Sequence, residues 1–428
     1  MIHYSYMLDI KFIRENKDLI NQAAKKKRID FRIDELVILD DKRRKLMTLA
    51  EEKRALQNAA NDKIAKAEDA EKRMGMIEEM KVVKIELEKY ETELKEVMKN
   101  WQNMMLLVPN IPDMSVPDGK DDSENQEIKT WGEKTKFDFE SKDHIDLMTN
   151  LNMVDLERGA KVHGFRGYFL TGDGARLCFA IWNFALDFFS AKDFIPIIPP
   201  TIVRRINLFG TGYLPQGEED LYKTQDGDYL IGTSEVSLMG LHADEVLQND
   251  SLPKRYLGFS PCYRREAGAH GKDVRGLIRV NEFYKLEQVI LCEANHELSV
   301  KLHEEINRNI EEFIEILGIP YRTVANCGGD LGLGQVKKYD VELWVPKEEK
   351  YREIGSASYF HDFQTRRLNI RYRDESGVLR YAHSLNSTAI PTPRILVSMV
   401  ENFQNSDGSI TIPKALVKYF GKDIIKKP

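Results

Sequence analysis

A heptad pattern without helix breakers dominates the first quarter of this 428-residue chain. Residues 34–101 contain no proline, and Gly75 is their only glycine. Apolar side chains repeat every seven residues in two series offset by three, at Met80, Leu87, Leu94 and Trp101 and at Val83, Tyr90, Val97 and Met104. This 3-4 alternation places both series on one stripe of a helix, which has to be buried against another helix.

The first half of this region carries a looser version of the pattern. One heptad series consists of Leu39, Leu46 and Ala60, and Lys53 interrupts it. The other consists of Leu49 and Leu56, and lysines at 42 and 63 occupy the positions before and after them. The break at Met74-Gly75-Met76 predicts that residues 34–103 form an antiparallel two-helix hairpin with its tip at 68–75. A coiled coil between two chains is the less favoured alternative. Such a hairpin buries little near its tip. We therefore expect an arm that reaches an elongated partner, with a simple spacer as the alternative.

Charge and cysteine content indicate which partners the protein can bind and which cellular compartment it occupies. The net charge is −6, but the first 100 residues hold 23 lysines and arginines against 21 acidic residues. This balance allows local contact with RNA, although a solvated helix face also explains it. No apolar run approaches the roughly 18 residues of a membrane helix, and the first residues lack a signal-peptide core. The four cysteines lie far apart. We therefore expect no disulfide framework, no structural zinc site, no membrane partner and a cytoplasmic location.

Proline and polar residues separate the heptad region from a more apolar second half. Helix breakers at Pro109, Pro112 and Pro117 predict an N-terminal domain at 1–110, a linker and entry segment at 111–160 and a second domain at 161–428. In the second domain, short β-branched or aromatic runs alternate with helical stretches. This order predicts an α+β fold, in which a helical-hairpin arm precedes a domain built on an antiparallel sheet flanked by helices.

Charged and aromatic residues cluster between 262 and 287. We predict a β-hairpin here, with strands at 263–266 and 279–287 and a turn at 268–271. One face of this hairpin would carry Arg264, Glu266, Arg279, Phe283 and Glu287. Arginines that grip phosphates, an aromatic ring that stacks on a base and a carboxylate that holds an amine would suit a nucleotide. A surface hairpin of salt bridges is the alternative.

Two smaller patterns also suggest phosphate chemistry. Glu353 and Ser356 offer hard oxygen donors of the kind that Mg²⁺ uses alongside phosphates. Arg394 begins a helical stretch, and a cation beside the positive end of a helix attracts a phosphate. The glycine-rich run at 328–334 suggests dinucleotide binding, but neither its spacing nor its flanking residues fit that motif.

In order and spacing, these clusters resemble motifs two and three of the class II aminoacyl-tRNA synthetases, and residues 193–203 resemble motif one, the dimer-interface strand. More narrowly, the chain resembles the seryl-tRNA synthetase family, which also has a long N-terminal coiled-coil arm. The motifs that carry this resemblance are Thr233-Ser234-Glu235, Arg264-Arg265-Glu266-Ala267-Gly268, Asp330-Leu331-Gly332, Tyr339-Asp340-Val341-Glu342-Leu343-Trp344, Asp362-Phe363-Gln364 and Leu385-Asn386-Ser387-Thr388. Together they are highly specific and cover nearly the whole chain.

The resemblance implies an ATP site and a serine site. It assigns ATP to Arg264, Glu266, Arg279, Phe283, Glu353, Ser356 and Arg394, and makes Arg264, Arg394 and Glu353 the catalytic set. It assigns serine to Thr233, Glu235, Arg264, Glu287, Asn386 and Thr388. Glu353 and Ser356 would bind Mg²⁺ together with ATP.

The resemblance also implies an activity and partners. The enzyme would activate L-serine with ATP to seryl-adenylate and transfer the seryl group to the 3′-terminal adenosine of tRNA(Ser), with tRNA(Sec) as a further acceptor in the family's range. The arm would bind tRNA, and motif one would form a homodimer. The alternative is a synthetase-like ligase or paralogue that acts on a carrier or another acceptor, which would not need the arm.

Three stretches depart from the family pattern. The family usually has His-Gln where this chain has Asn281-Glu282, and Ser-Ser-Cys-Ser-Asn at 355–359. It often has Gly-Ser-Gly-Leu-Ala at 387–391. The residues assigned to ATP and serine survive all three departures. We therefore expect a working enzyme with altered packing around motif three and around Phe283.

Overall fold

The computed structural model describes residues 8–66, 68–268, 271 and 273–427. The chain divides into two compact units. Within the described part of the chain, the helical unit holds 8–25 and 29–111, and the sheet unit holds Lys26–Arg28 and 112–427. Among the described residues, no helix is both long enough and apolar enough to cross a bilayer.

Two long helices form most of the helical unit. Its helices are α1 Ile10–Glu15, α2 Lys17–Lys26, α3 Ile33–Lys66 and α4 Ala70–Leu106. Ion pairs between α3 and α4 join Lys42 to Glu93 at 2.7 Å and Arg54 to Glu91 at 2.5 Å. The residue number of the α4 partner falls as the residue number of the α3 partner rises, so the two helices are antiparallel. Every member of the Met80–Met104 stripe is buried or half-buried, which confirms the predicted two-helix arm.

The break between the long helices lies at the start of the predicted tip. The Asp69 carboxylate caps α4 by accepting hydrogen bonds from the backbone N–H groups of Glu71 at 2.9 Å and Lys72 at 3.3 Å. Gly75, which we expected to mark the tip, lies inside α4. Burial is concentrated at the other end of the hairpin, where Trp101 is 5% exposed, whereas Met74 near the tip is 71% exposed.

The sheet unit combines helices of 4 to 22 residues with one large sheet. Its helices are α5 His144–Asn150, α6 Leu156–His163, α7 Gly172–Ser190, α8 Arg205–Thr211, α9 Glu235–Gly240, α10 His296–Leu317, α11 Phe363–Arg367, α12 Arg394–Asn402 and α13 Val417–Phe420. Its strands are β1 Gln126–Trp131, β2 Val154–Asp155, β3 Phe169–Leu170, β4 Ile195–Ile197, β5 Ile202–Val203, β6 Tyr229–Leu230, β7 Val246–Leu247, β8 Lys254–Tyr263, β9 Glu282–Cys292, β10 Tyr321–Ala325, β11 Lys337–Val345, β12 Lys350–His361, β13 Arg371–Arg373, β14 Leu379–Tyr381, β15 His383–Thr392, β16 Ile410–Thr411 and β17 Ile424–Ile425.

The large sheet has eight strands in the order β1-β10-β11-β12-β15-β9-β8-β4. All neighbouring pairs are antiparallel except β4 and β8, which are parallel. Helix α10 covers one face, where Gln288 of β9 donates a hydrogen bond to the Ile306 carbonyl at 3.0 Å. Because side chains alternate along a strand, Phe283, Lys285 and Glu287 of β9 point to the opposite face. This architecture confirms the predicted α+β fold with its antiparallel sheet.

Candidate active site

A cavity of about 290 Å³ lies on the open face of the large sheet. Its walls come from β9, β12 and β15, from the starts of α9 and α12, from the loop between β8 and β9, and from residues 211–213 and 332–335. The predicted site residues that line it are Glu235, Arg264, Glu266, Arg279, Phe283, Glu287, Glu353, Ser356, Asn386, Thr388 and Arg394. Thr233 is the exception, since it is buried behind the wall. The fold thus gathers residues that are up to 159 positions apart, counting from Glu235 to Arg394, into one site.

The predicted hairpin was wrong in the extent of its strands. Strand β8 ends at Tyr263 and β9 begins at Glu282, so Arg264, Glu266 and Arg279 lie in the connecting loop and not on a sheet face. The loop is held by Asn281, whose amide donates hydrogen bonds to the carbonyls of Arg264 at 2.9 Å and Arg265 at 3.2 Å. The Asn281 departure from the family pattern therefore serves as an anchor for this loop.

Arg264 and Phe283 form one end of the cavity. The guanidinium carbon of Arg264 lies 5.3 Å from the centre of the Phe283 ring, a cation–π distance. Arg279 donates to the Glu266 carboxylate at 2.5 Å. An aromatic face beside cations can hold a base and its phosphates together.

Arg394 is the first residue of α12, as the sequence predicted. Its Nε donates to the Ile278 carbonyl at 3.0 Å, and its Nη1 donates to the Glu353 carbonyl at 2.9 Å. Burial lowers the pKa of the Arg394 guanidinium. These backbone contacts orient a partly desolvated cation at a helix N-terminus, which favours a phosphate ligand.

Glu353 and Ser356 share the cavity because of a β-bulge. Residues three apart on a regular strand point to opposite faces. In β12, however, Glu353 pairs with Glu342 and Gly355 pairs with Val341, which leaves Ile354 as the extra residue. The bulge restores the common face. Among the described residues, no cation forms an ion pair with the Glu353 carboxylate, so this donor set fits Mg²⁺ that is held jointly with phosphate oxygens.

The other end of the cavity is lined by buried acidic and hydroxyl groups. Lys285 Nζ lies 2.5 Å from Glu287 Oε2 and donates to Thr233 Oγ1 at 2.8 Å. Thr388 lies opposite Glu287 in the β15–β9 register. The Asn386 side-chain amide nitrogen is also buried here, with no hydrogen-bond acceptor among the described residues. This end offers a carboxylate, a hydroxyl and a free amide donor to a small polar ligand.

Glu235 is held by two residues, Tyr213 and Gln364, that were not among the predicted site residues. Tyr213 donates to its Oε2 at 2.9 Å and Gln364 donates to its Oε1 at 2.6 Å. Burial and the charge of Glu287 raise the pKa of Glu235 to about 7. Lys285 is a third residue that we missed. Its alternation with Phe283 and Glu287 on one strand was the available signal, and Gln364 lies in the quoted Asp362-Phe363-Gln364 motif.

Gly355 explains one of the departures around motif three. A Cβ atom at this position would lie 2.8 Å from Cβ and 3.1 Å from Cγ2 of Thr388. A side chain at Gly355 would therefore crowd Thr388, both at its Cβ atom and at its Cγ2 methyl group. The two departures from the family pattern are complementary in packing.

Comparison with known proteins classifies this site. The model of the tRNA synthetase class II core domain (G, H, P, S and T) matches residues 222–403, and the model of the seryl-tRNA synthetase N-terminal domain matches residues 7–112. The core-domain match includes all the predicted site residues from Thr233 to Arg394, so this part of the chain is the core domain of a class II aminoacyl-tRNA synthetase.

Full-length relatives narrow the class. A serine–tRNA ligase of Deinococcus radiodurans is 43% identical over 424 residues, which cover 99% of this chain and 100% of that protein. The crystal structure of seryl-tRNA synthetase from Pyrococcus horikoshii complexed with ATP is 38% identical, covers 99% of this chain and 100% of that one, and has a TM-score of 0.90. A cytoplasmic serine–tRNA ligase of Naegleria fowleri, solved with AMP, is 31% identical, covers 99% of this chain and 100% of that one, and has a TM-score of 0.85. The chain belongs to the seryl-tRNA synthetase family, and its activity is the ATP-dependent activation of serine and its attachment to tRNA.

Proposed function

We propose that the cavity binds ATP at its arginine-rich end and L-serine at its carboxylate end, and that both steps of serylation take place between them. The observation that carries this proposal is that one cavity is lined both by Arg264, Arg394 and Glu353 and by Glu235, Glu287 and Thr388. Phe283 would stack on adenine beside Glu266, and Arg279 would lie near the phosphates.

The first step follows from the placement of charge. A serine carboxylate oxygen attacks the ATP α-phosphorus, the bond to the β-phosphate oxygen breaks, and pyrophosphate leaves. Arg264 would hold the serine carboxylate and the α-phosphate, and Arg394 would hold the γ-phosphate, so two anions are aligned and their charge is stabilised. Glu353 and Ser356 would hold Mg²⁺ carried by ATP, which would neutralise further phosphate charge when bound.

The second step transfers the seryl group. A ribose hydroxyl of the 3′-terminal adenosine attacks the carbonyl carbon of seryl-adenylate, and AMP leaves. Glu235, Glu287, Asn386 and Thr388 would orient serine through its amino and hydroxyl groups, and Thr233 would hold Lys285 beside Glu287. Alanine lacks the hydroxyl group and would leave Thr388 and Glu235 without a partner, which is an effective basis for its rejection.

Exchange of labelled pyrophosphate into ATP tests the first step without tRNA. We expect exchange only with serine among the standard amino acids. Arg264→Ala should lower the rate by about 10²–10³-fold, because the two reacting anions lose their shared cation. Near-normal exchange by Arg264→Ala would contradict the assignment of this residue.

We further propose that the arm binds tRNA. Helices α3 and α4 have 34 and 37 residues, and at about 1.5 Å per residue each spans about 50 Å, which suits a large, extended ligand. A chain without residues 34–103 should keep serine-dependent exchange and lose tRNA charging. Charging of total tRNA, followed by identification of the acceptors, would separate tRNA(Ser) from tRNA(Sec). Undiminished charging by the shortened chain would make the arm a spacer.

A second copy of the chain is the proposed partner of an apolar surface around the motif-one segment. Strand β4 lies at the edge of the large sheet. Four large apolar side chains of this region, Phe179, Ile195, Ile198 and Ile202, are 61%, 58%, 84% and 56% exposed, and exposed apolar side chains of this kind favour a protein partner. Sedimentation should give a dimer for the native chain and a monomer for Ile198→Glu. Met114→Glu, at a residue that is 99% exposed, is the matched control.

We place the enzyme in the cytoplasm, where cell fractionation should find it with charged tRNA.

A further inference from the structure

Lys27 is buried in the sheet unit although it follows α2 in the chain. Its residue exposure is 3%. Its Nζ donates hydrogen bonds to the backbone carbonyls of Gly332 at 3.0 Å, Leu333 at 2.8 Å and Gln335 at 2.6 Å. Among the described residues, no carboxylate forms an ion pair with it. Lys27 therefore directs its charge to one loop.

A buried lysine without an acidic partner is costly. Its ammonium has lost water, and burial lowers the pKa of Lys27 well below its usual value. The three carbonyls match the three N–H donors of an ammonium group. These hydrogen bonds offset the cost of desolvating Lys27 only while the loop keeps its conformation. The Lys27 side chain and the loop conformation therefore stabilise each other.

The loop at 332–335 is part of the active-site wall, since all four of its residues line the cavity. It contains Gly332 and Gly334, which give the backbone little rigidity of its own. The Gln335 side chain accepts from the Gly332 N–H at 2.7 Å and donates to Ser358 Oγ at 2.9 Å. Lys27 adds three further anchors through the loop carbonyls.

The loop packs toward the carboxylate end of the cavity. A Cβ atom at Gly334 would lie 2.5 Å from the Phe363 ring, and a Cβ atom at Gly212 would lie 3.0 Å from the same ring. Phe363 precedes Gln364 and Gly212 precedes Tyr213, the two residues that hold the Glu235 carboxylate. The loop, the Phe363 ring and the Glu235 clamp thus form one packed series.

We propose that Lys27 is a positioning residue for serine, which acts by fixing the 332–335 loop against the wall that carries Glu235. This proposal rests on the proposed placement of serine at the carboxylate end. It predicts that loss of Lys27 impairs serine binding and leaves ATP binding intact, because Arg394 is oriented by the carbonyls of Ile278 and Glu353 and Phe283 lies against Arg264, all of them outside this loop.

The test is steady-state pyrophosphate exchange with Lys27→Met, which keeps the apolar stem and removes the donors. We expect KM for serine to rise about 10- to 100-fold, as for a wall displaced by about 1 Å, with KM for ATP within about twofold. Lys26→Met is the matched control. The adjacent Lys26 forms a 3.9 Å ion pair with Asp118, a 90% exposed carboxylate, so the KM values of this variant should not change.

Lys27→Arg is the second variant, in case the methionine variant does not fold. It keeps a charged donor but cannot place three hydrogens on one atom, so a smaller rise that is still selective for serine is expected. Unchanged KM for serine in a folded variant, or equal rises for serine and ATP, would overturn the proposal. Absence of serine-dependent exchange in the native enzyme would instead contradict the proposed function, so the two failures are distinguishable.

Discussion

The helical unit and the sheet unit each contain a Lys–Glu pair whose charged atoms lie 2.5 Å apart. In the arm, the Lys53 and Glu86 side chains are 25% and 42% exposed. In the active site, Lys285 and Glu287 are 6% and 3% exposed. Distance alone therefore says little about an ion pair. Water screens the first pair, whereas the second has lost its water and depends on its partner.

Breaking the buried pair should have the larger effect. Lys285→Met leaves Glu287 as an uncompensated buried charge, and we expect a loss of about 3–5 kcal/mol in the free energy of unfolding. It should also raise KM for serine. Replacing both charges, as in Lys285→Met with Glu287→Leu, should recover most of the stability and none of the activity. Denaturant titrations and pyrophosphate exchange measure the two effects. A stable, fully active Lys285→Met would show that the pair is neither buried nor functional in solution.

Glycine-to-alanine substitutions should have opposite signs in the two units. Gly355→Ala brings a methyl group to 2.8 Å from Thr388 Cβ, and overpacking of this kind costs about 1–3 kcal/mol. Gly75 lies inside α4, where an added Cβ atom would have no neighbouring atom within 4 Å. Gly75→Ala should therefore stabilise the arm by about 1 kcal/mol.

A double-mutant cycle isolates the Gly355–Thr388 contact. In a Thr388→Gly background the methyl group meets no side chain at 388, so Gly355→Ala should cost little there. Thermal unfolding followed by circular dichroism would measure each corner of the cycle. Equal costs in both backgrounds would mean that the packing of these two residues is not complementary.

The pH dependence of serine binding should reveal Glu235. Its pKa is raised to about 7, above the value in an unfolded chain. The folded protein therefore loses stability relative to the unfolded chain as pH rises from about 4.5 to about 7, because Glu235 ionises less readily in the folded state. The Glu235 carboxylate is fully charged, and can accept hydrogen bonds from serine with both oxygens, only above this interval. KM for serine should fall several-fold between about pH 6 and pH 8, with KM for ATP flat. Glu235→Gln should abolish the slope. An unchanged slope in this variant would assign the titration to another group.

Sequence predicted the arm better than the active site because the arm depends on local periodicity. The Leu87, Val97 and Trp101 stripe needs only a helical repeat and an adjacent helix. The position of Arg394 at the start of a helix was also predictable, because helix starts are determined by the residues next to them in the chain. In the site, the residue types alone suggested a nucleotide for Arg264 and Phe283, the family resemblance assigned their particular roles, and their predicted strand context was only partly right.

The remaining features depend on how distant strands align. No local pattern indicates that Ile354 is bulged and that Glu353 therefore shares a face with Ser356, because the bulge exists only relative to β11. The same holds for Tyr213 and Gln364, which reach Glu235 from different helices and loops. Contacts of this kind are set by the packed sheet and not by the residues beside them in the chain.

The smallest expected effect is that of Lys53→Met in the arm. Lys53 occupies a heptad core position, and its Nζ contacts Glu86 in a solvent-exposed setting. A methionine there removes a screened ion pair and restores an apolar side chain to the stripe, so the two changes oppose each other. We expect unchanged pyrophosphate exchange and an unchanged melting temperature, with Leu87→Ala as the control that must lower the melting temperature because Leu87 is 6% exposed. If Lys53→Met lost as much stability as Lys285→Met, burial would not be what distinguishes the two pairs.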